Sequence, residues 1–198
     1  MAAEPLSIIP YPHPTLRYKS KPIVRVDDEL RATIRKMFEL MYEAKGVGLA
    51  ANQVGLPLRF FIVNELADPA KGKEMVFINP VLSLPKGSDK AEEGCLSLPS
   101  IYAEVVRPKT VRVNAYDITG EEINFEATGL MSRIIQHETD HLDGVLFIDR
   151  LAASERANIE NEIHEMEIVF ESRRDAGAVP PDMEITLTRN VIETRYCL

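Results

Sequence analysis

The sequence has 198 residues, of which 45% are hydrophobic, and a formal net charge of -8. This length and apolar content suit one compact domain with a buried core, and the acidic balance argues against nucleic-acid binding through a general basic surface. The two cysteines, Cys95 and Cys197, are too few for a disulfide framework and favour a reducing compartment. No stretch approaches the roughly 18 apolar residues that span a bilayer, and no signal peptide is recognisable. We therefore expect a soluble, cytoplasmic protein that does not insert into membranes.

The N-terminal segment contains Pro10, Pro12 and Pro14, and predicts an irregular arm laid on the surface. Closely spaced prolines deny both helix and sheet their hydrogen bonds. A first helix is predicted from Asp27, a suitable N-cap, to a stop at Gly46. The apolar residues that recur at helical spacing in it are Leu30, Ile34, Met37, Phe38 and Met41.

Short extended runs follow this helix and predict strands. They are FFIV at 60–63, MVFINPVL at 75–82, AEVV at 103–106 and VRVNAY at 111–116. The segment DITG at 117–120 is typical of a hairpin turn, so a return strand is expected to include Ile123 and Phe125.

Two helices are predicted in the second half. One begins near Thr128 and ends at Asp143 and Gly144. The other has an apolar stripe made of Ile159, Ile163, Met166 and Phe170, and its many charged residues are interpreted as a solvated face. Beyond Gly177 we expect either a linker and a pair of strands or a partly ordered tail.

The segment QHETDHLDG, at 136–144, places His137 and His141 four positions apart with Glu138 directly after the first histidine. On an α-helix the two histidines differ by about 40° around the axis and by one turn along it, so both imidazoles can bind one ion. The carboxylate of Glu138 then lies beside the ion, within reach of a bound water. This is the geometry of the H-E-x-x-H motif. The alternative is an ordinary helix that contains these residues by chance on its polar side.

A catalytic zinc-type site has three protein ligands and one position for water. Cys95, in the segment EEGCLSLP, is a candidate third ligand because a thiolate binds soft cations strongly, although a lone cysteine is more often a small buried residue. Glu160 and Glu162 are candidates as well, and would make the protein a zinc peptidase with a downstream glutamate ligand. A further alternative is a closed structural zinc site in which Cys197 supplies the fourth ligand.

The segment GVGLAANQVG, at 46–55, contains three glycines and Gln53. The glycines alone favour a helix stop and a tight passage into the next strand. The side-chain amide of Gln53 can donate a hydrogen bond where negative charge develops on a carbonyl oxygen under attack.

These three segments together, in this order and at these intervals, closely resemble the signature motifs of peptide deformylase, and the resemblance covers roughly residues 5 to 173. It implies an α+β fold in which antiparallel strands pack around a central metal-binding helix, with a C-terminal helix. It also implies hydrolysis of the N-formyl group from the initiator formylmethionine of new bacterial polypeptides, with release of formate. On this basis residues 1–175 form the catalytic domain, and 176–198 are a tail of unknown role.

The resemblance assigns a role to each matching position. Cys95, His137 and His141 are expected to bind one divalent metal ion, with Fe2+ the expected ion in the cell and Zn2+, Ni2+ or Co2+ as substitutes. Glu138 is expected to act as general base and acid. The amide of Gln53 and the backbone N–H of Leu96 are expected to stabilise the oxyanion.

The resemblance also indicates how the substrate binds. The residues expected along the methionine pocket or peptide groove are Gly46, Val47, Gly48 and Glu93, although Glu93 could equally be a surface carboxylate. Tyr102 stands where members of the family typically have an arginine, which leaves the peptide contacts beyond the methionine open. The partners implied are N-formylmethionyl nascent chains, and association with the ribosome stays open.

Overall fold

The fold is α+β, as predicted, and places helix α2 between antiparallel strands. The computed structural model describes residues 6–198, and in this range five α-helices and seven β-strands are present. The helices are α1 (Asp28–Glu43), α2 (Gly129–Leu142), α3 (Ala153–Asn158), α4 (Glu160–Asp175) and α5 (Asp182–Tyr196). The strands are β1 (Gly48–Ala50), β2 (Phe60–Val63), β3 (Met75–Lys86), β4 (Asp89–Cys95), β5 (Leu98–Arg107), β6 (Thr110–Tyr116) and β7 (Glu122–Thr128). None of the helices within residues 6–198 has the length and apolar character needed to cross a bilayer.

Helix α1 forms as the sequence predicts. The side chain of Asp27 accepts a hydrogen bond from the backbone N–H of Leu30, which satisfies one of the free N–H groups at the helix start. All five apolar residues of the predicted stripe are buried, from Leu30 to Met41. The helix therefore packs one face on the body of the protein and exposes the other.

The strands form a five-stranded sheet in the order β1-β2-β3-β6-β7 and a two-stranded sheet of β4 and β5. All the pairs are antiparallel, and the predicted hairpin at 117–120 joins β6 to β7. The strands β1 and β4 were not predicted. The sequence of β4, DKAEEGC, has low β-propensity, and it is held in place by pairing with β5.

Helix α2 is the central element of the fold. Its residues Ile134, Ile135 and Leu142 pack on Phe61 and Phe77 of the five-stranded sheet. Every residue from 134 to 142 is buried, polar ones included, so this part of the helix is enclosed on all sides. A helix that buries this many polar groups needs partners for them, and these partners form the site described below.

The N-terminal arm is irregular as predicted, apart from a short 3-10 helix at Pro14–Arg17, but it does not merely lie on the surface. Leu16 is fully buried. The backbone N–H of Ile9 donates to the carbonyl of Gln53 at 2.8 Å, and that of Tyr11 donates to the carbonyl of Ser97 at 2.8 Å. The arm therefore links the glycine-rich segment to the segment that contains Cys95.

The prediction of a strand pair or a partly ordered tail beyond Gly177 is wrong, because most of this segment forms helix α5. Ile185 and Tyr196 are buried on one face of the helix, at helical spacing. Glu193 on the same face accepts a hydrogen bond from Tyr18 at 2.6 Å and forms an ion pair with Lys21 at 2.7 Å. Tertiary packing against the arm therefore makes this segment helical, although its β-branched residues favour strands.

Candidate active site

Cys95, His137 and His141 converge at one point. Cys95 ends β4, and the two histidines lie one turn apart on α2. The Sγ of Cys95 lies 3.3 Å from Nε2 of His141, which is 3.2 Å from Nε2 of His137. All three potential ligand atoms lie within 4.8 Å of one another.

This arrangement fits a divalent cation. Tetrahedral coordination with bonds of about 2.0–2.3 Å separates the ligand atoms by about 3.3–3.8 Å, close to the distances between these three side chains. The electrostatics agree. Burial opposes protonation of His137, but its interactions with Cys95 and Glu93 raise its pKa to about 10, so the site favours positive charge. Burial, together with the charge of His137, lowers the pKa of His141.

The other candidate ligands do not join this group. Among residues 6–198, the potential ligands gathered at this site are only Cys95 and the two histidines. The Sγ of Cys197 instead lies 3.7 Å from the carbonyl of Lys21. On α4, Glu160 forms an ion pair with Arg156, and Glu162 lines a separate groove. The structure therefore does not favour the peptidase ligand set or the closed Cys2His2 site.

Glu138 lies beside the three ligands in a buried position. Its Oε2 has no hydrogen-bond partner among the described residues, and burial raises its pKa to about 7. A carboxyl group with this pKa can both accept and return a proton near neutral pH. A Cβ atom at Gly48 would lie 2.5 Å from Oε1 of Glu138, so glycine is required there for close approach of the two segments.

Gln53 is held so that its amide group faces the site. Its Oε1 accepts a hydrogen bond from the backbone N–H of Ala50 at 2.8 Å. The amide nitrogen consequently points towards Sγ of Cys95 at 3.4 Å and Oγ of Ser97 at 3.3 Å. Leu96 lies next to Cys95 in the turn between β4 and β5 and lines the same cleft. The two predicted oxyanion donors thus both lie next to Cys95, Gln53 through a contact between distant segments and Leu96 as the following residue in the chain.

Glu93 is buried, so its interpretation as a surface carboxylate is wrong. Its Oε1 accepts hydrogen bonds from Nε of Arg107 at 2.6 Å and from Nη1 of Arg133 at 2.7 Å. Its Oε2 lies 2.9 Å from Nη2 of Arg107 and 3.0 Å from Nδ1 of His137. Burial opposes ionisation of Glu93, but the hydrogen bonds with His137 and Arg107 lower its pKa to about 2.

Sequence reasoning missed the arginines that surround Glu93. Arg107 also donates to Asp140 at 2.7 Å and is 4% exposed, so it joins two buried carboxylates. Arg133 lies one turn before His137 on α2 and bonds to the carbonyl of Val105. The helical spacing of Arg133 and His137 was a usable signal, but Arg107 on β5 has no local pattern that marks it.

A cleft of about 640 Å³ opens onto these groups. The predicted site residues that line it are Gly46, Val47, Gly48, Gln53, Glu93, Cys95, Leu96, His137 and Glu138. His141 is not part of the lining and is 1% exposed. The apolar side of the cleft is formed by Leu98, Leu130 and Ile134. Tyr102, which is 60% exposed, lies across Gly94 at the edge of the cleft.

Comparison with protein families identifies this arrangement. A family model described as polypeptide deformylase matches residues 5–157. The chain belongs to the peptide deformylase family. It is 46% identical over 192 residues to a peptide deformylase of Rhodopirellula baltica, with 97% of this chain and 96% of that protein covered. It is also 45% identical over 172 residues to the chloroplastic or mitochondrial peptide deformylase 1B of Arabidopsis thaliana, with 85% of this chain and 62% of that longer protein covered.

Solved structures agree with this assignment. The crystal structure of a plant peptide deformylase superposes with a TM-score of 0.83 at 40% identity, and covers 92% of this chain and 98% of the plant chain. A peptide deformylase from Synechococcus elongatus, solved in complex with actinonin, gives a TM-score of 0.76 at 39% identity over 82% of this chain and 90% of that one. As a deformylase, the chain is a metal-dependent enzyme that hydrolyses the N-formyl group of nascent polypeptides. The zinc peptidase alternative is not favoured.

Proposed function

We propose that Cys95, His137 and His141 hold one divalent cation in this deformylase. The mutual distances of their ligand atoms carry this proposal. We further propose Fe2+ as the ion in the cell, with Zn2+, Ni2+ or Co2+ as substitutes, because a thiolate and two imidazoles bind all of these ions. A cation held by these three residues would polarise the formyl carbonyl and lower the pKa of water.

In this proposal Glu138 is the group that moves the proton. Its carboxylate accepts a proton from the attacking water and later donates it to the amine that leaves. The enclosed position of Glu138, which raises its pKa to about 7, supports both steps because neither form of the side chain is strongly preferred near neutral pH.

The oxyanion that develops on the formyl oxygen is stabilised by Gln53 and by the backbone N–H of Leu96. The amide of Gln53 needs little reorganisation, since its Oε1 is already engaged by Ala50 and its amide nitrogen faces Cys95. Donors that are fixed before the reaction stabilise charge more effectively than mobile water.

The cleft is the proposed binding site of the substrate. Gly46, Val47 and Gly48 form one wall for the extended peptide, and the apolar side of the cleft suits a methionine side chain. Glu93 also lines the cleft, but both its carboxylate oxygens already bond to protein groups, so we propose that it orients His137 and does not bind the peptide directly. The exposed ring of Tyr102 is available to peptide residues beyond the methionine.

We place the reaction in the bacterial cytoplasm, on nascent chains, without direct binding of nucleic acid and with ribosome association left to experiment. We also propose that residues 1–175 carry the catalytic machinery and that 176–198 stabilise it. Contacts between helix α5 and the N-terminal arm, such as the bonds of Glu193, support this division.

The decisive experiment uses protein purified without oxygen and incubated with formyl-Met-Ala-Ser. We expect stoichiometric release of formate, and no release of free methionine from unformylated Met-Ala-Ser. Cleavage of the unformylated peptide would support a peptidase instead. Inactivity of a metal-loaded preparation towards the formylated peptide would contradict the proposed function.

A further inference from the structure

A second groove, of about 420 Å³, lies beside the active-site cleft. The N-terminal arm forms one of its sides with Pro10 and Tyr11, and the start of β5 forms another with Ile101. Helix α4 forms the third side. The hydroxyl of Tyr11 donates to Glu167 on α4 at 2.8 Å, which fixes the arm against the helix.

One face of α4 lines this groove along three turns. The residues on this face are Glu162, Glu165, Met166, Val169, Phe170 and Arg173. At about 1.5 Å per residue, the distance from Glu162 to Arg173 is about 16 Å along the helix axis. An extended peptide advances about 3.3 Å per residue, so the groove can accommodate about five residues.

The groove is apolar at its centre and charged at its ends. Phe170 and Ile101 are 3% and 4% exposed and form the floor, whereas Val169 is 59% exposed and forms an open side. Glu162 and Arg173 lie at opposite ends of the helix face. A surface of this kind suits an apolar side chain with polar or charged neighbours.

Pro99 and Ser100 connect this groove with the active-site cleft, because both residues line both depressions. Both are exposed, so the ridge that they form is open to solvent. A polypeptide that extends from the cleft over this ridge enters the second groove directly. The natural substrate is a growing chain and continues well past its first residues.

We propose that this groove binds the downstream part of the formylated polypeptide, several residues beyond the formylmethionine, and that it prefers an apolar side chain there. The proposal rests on the proposed function, since it extends the same substrate. A second copy of this chain could cover the same surface, but continuity with the cleft favours the substrate.

The test uses formylated peptides of about nine residues, long enough to fill the cleft and the groove. The parent peptide has alanine and serine after the methionine, and one leucine is moved through each position after the third. We expect one or two adjacent leucine positions to raise kcat/KM about fivefold, mainly through KM, as half-burial of a leucine side chain predicts.

Two neighbouring variants on α4 test the location. Val169→Asp places a charge in the groove, whereas Ile168→Asp places one at a position with 56% exposure that does not line the groove. We expect Val169→Asp to abolish the leucine effect and Ile168→Asp to retain it. Both variants should keep the fold of the unmodified enzyme, as checked by melting temperature. Their kcat and KM with formyl-Met-Ala-Ser should also be unchanged.

Several results would overturn the proposal. One is the absence of a leucine effect in the unmodified enzyme, and another is an equal response of the two variants. Light scattering that shows a dimer which Val169→Asp dissociates would assign the groove to a second copy. Failure of the unmodified enzyme on formyl-Met-Ala-Ser would instead show that the proposed function itself is wrong, and this proposal with it.

Discussion

Oε2 of Glu93 lies 3.0 Å from Nδ1 of His137, while Nε2 of the same imidazole faces His141 at 3.2 Å. One ring nitrogen is therefore bonded to a buried carboxylate, and the other is directed to the metal-binding group. A carboxylate in this position fixes the tautomer and the orientation of a ligand histidine and raises its basicity. Glu93 is in turn held by Arg107 and Arg133.

This relationship predicts that Glu93→Gln weakens metal binding. The neutral amide is a poorer partner for the N–H of His137, so we expect the metal affinity to fall by about 10-fold to 100-fold. Competition with a chelator of known affinity measures this change. Glu104→Gln, at an exposed position on β5, is the matched control and should bind metal normally. An unchanged affinity in Glu93→Gln would refute the positioning role.

Glu138→Gln should separate metal binding from catalysis. The amide cannot accept the proton, so we expect kcat to fall by about 10²-fold to 10⁴-fold. The metal content should stay the same, because Glu138 is not one of the three converging ligands. Formate release and metal analysis on the same preparation give both quantities. A variant that turns over at the normal rate would exclude Glu138 as the proton carrier.

Arg107→Met should destabilise the fold strongly. The variant leaves Glu93 and Asp140 buried without their shared cation, and loss of one partner of a buried ion pair typically costs about 3–5 kcal/mol. Urea unfolding measures the free energy of unfolding. Arg150→Met is the control, because Arg150 bonds to the same Asp140 but its side chain is 49% exposed, so we expect a loss of about 1 kcal/mol or less. Equal losses would contradict this account.

His13 should make the stability of the protein sensitive to acid. Burial lowers its pKa from 6.5 to about 4, and its Nδ1 accepts a hydrogen bond from the backbone N–H of Thr15. The folded state therefore favours the neutral imidazole. This contribution is fully present above pH 6.5 and is lost as the pH falls towards 4.

The measurement compares the free energy of unfolding near neutral pH and at about pH 5. We expect the unmodified protein to lose about 1 kcal/mol more than His13→Asn, which retains an acceptor for Thr15 but does not titrate. His164→Asn, at a position where the side chain is 71% exposed, serves as control and should follow the unmodified protein. The same acid sensitivity in His13→Asn would show that other groups cause it.

The sequence by itself determined the elements with a clear local signal. Helix α1 has its N-cap at Asp27, which follows from the residue type, and its five apolar residues at one helical face, which follows from their spacing. The four-residue spacing of His137 and His141 places both imidazoles on one side of α2 for the same reason. The three motifs were sufficient to indicate the family, because the chemistry of a site requires particular residues within short segments.

Only the tertiary structure decided which distant groups meet. Glu93 and His137 are 44 positions apart, and neither segment contains a signal that pairs them with Arg107. The helical state of residues beyond Gly177 depends on contacts with an arm at the other end of the chain, such as that between Glu193 and Tyr18. Local patterns report the preferences of the backbone and the face that is buried, whereas pairing across the fold depends on packing and on the cost of leaving buried charges without partners.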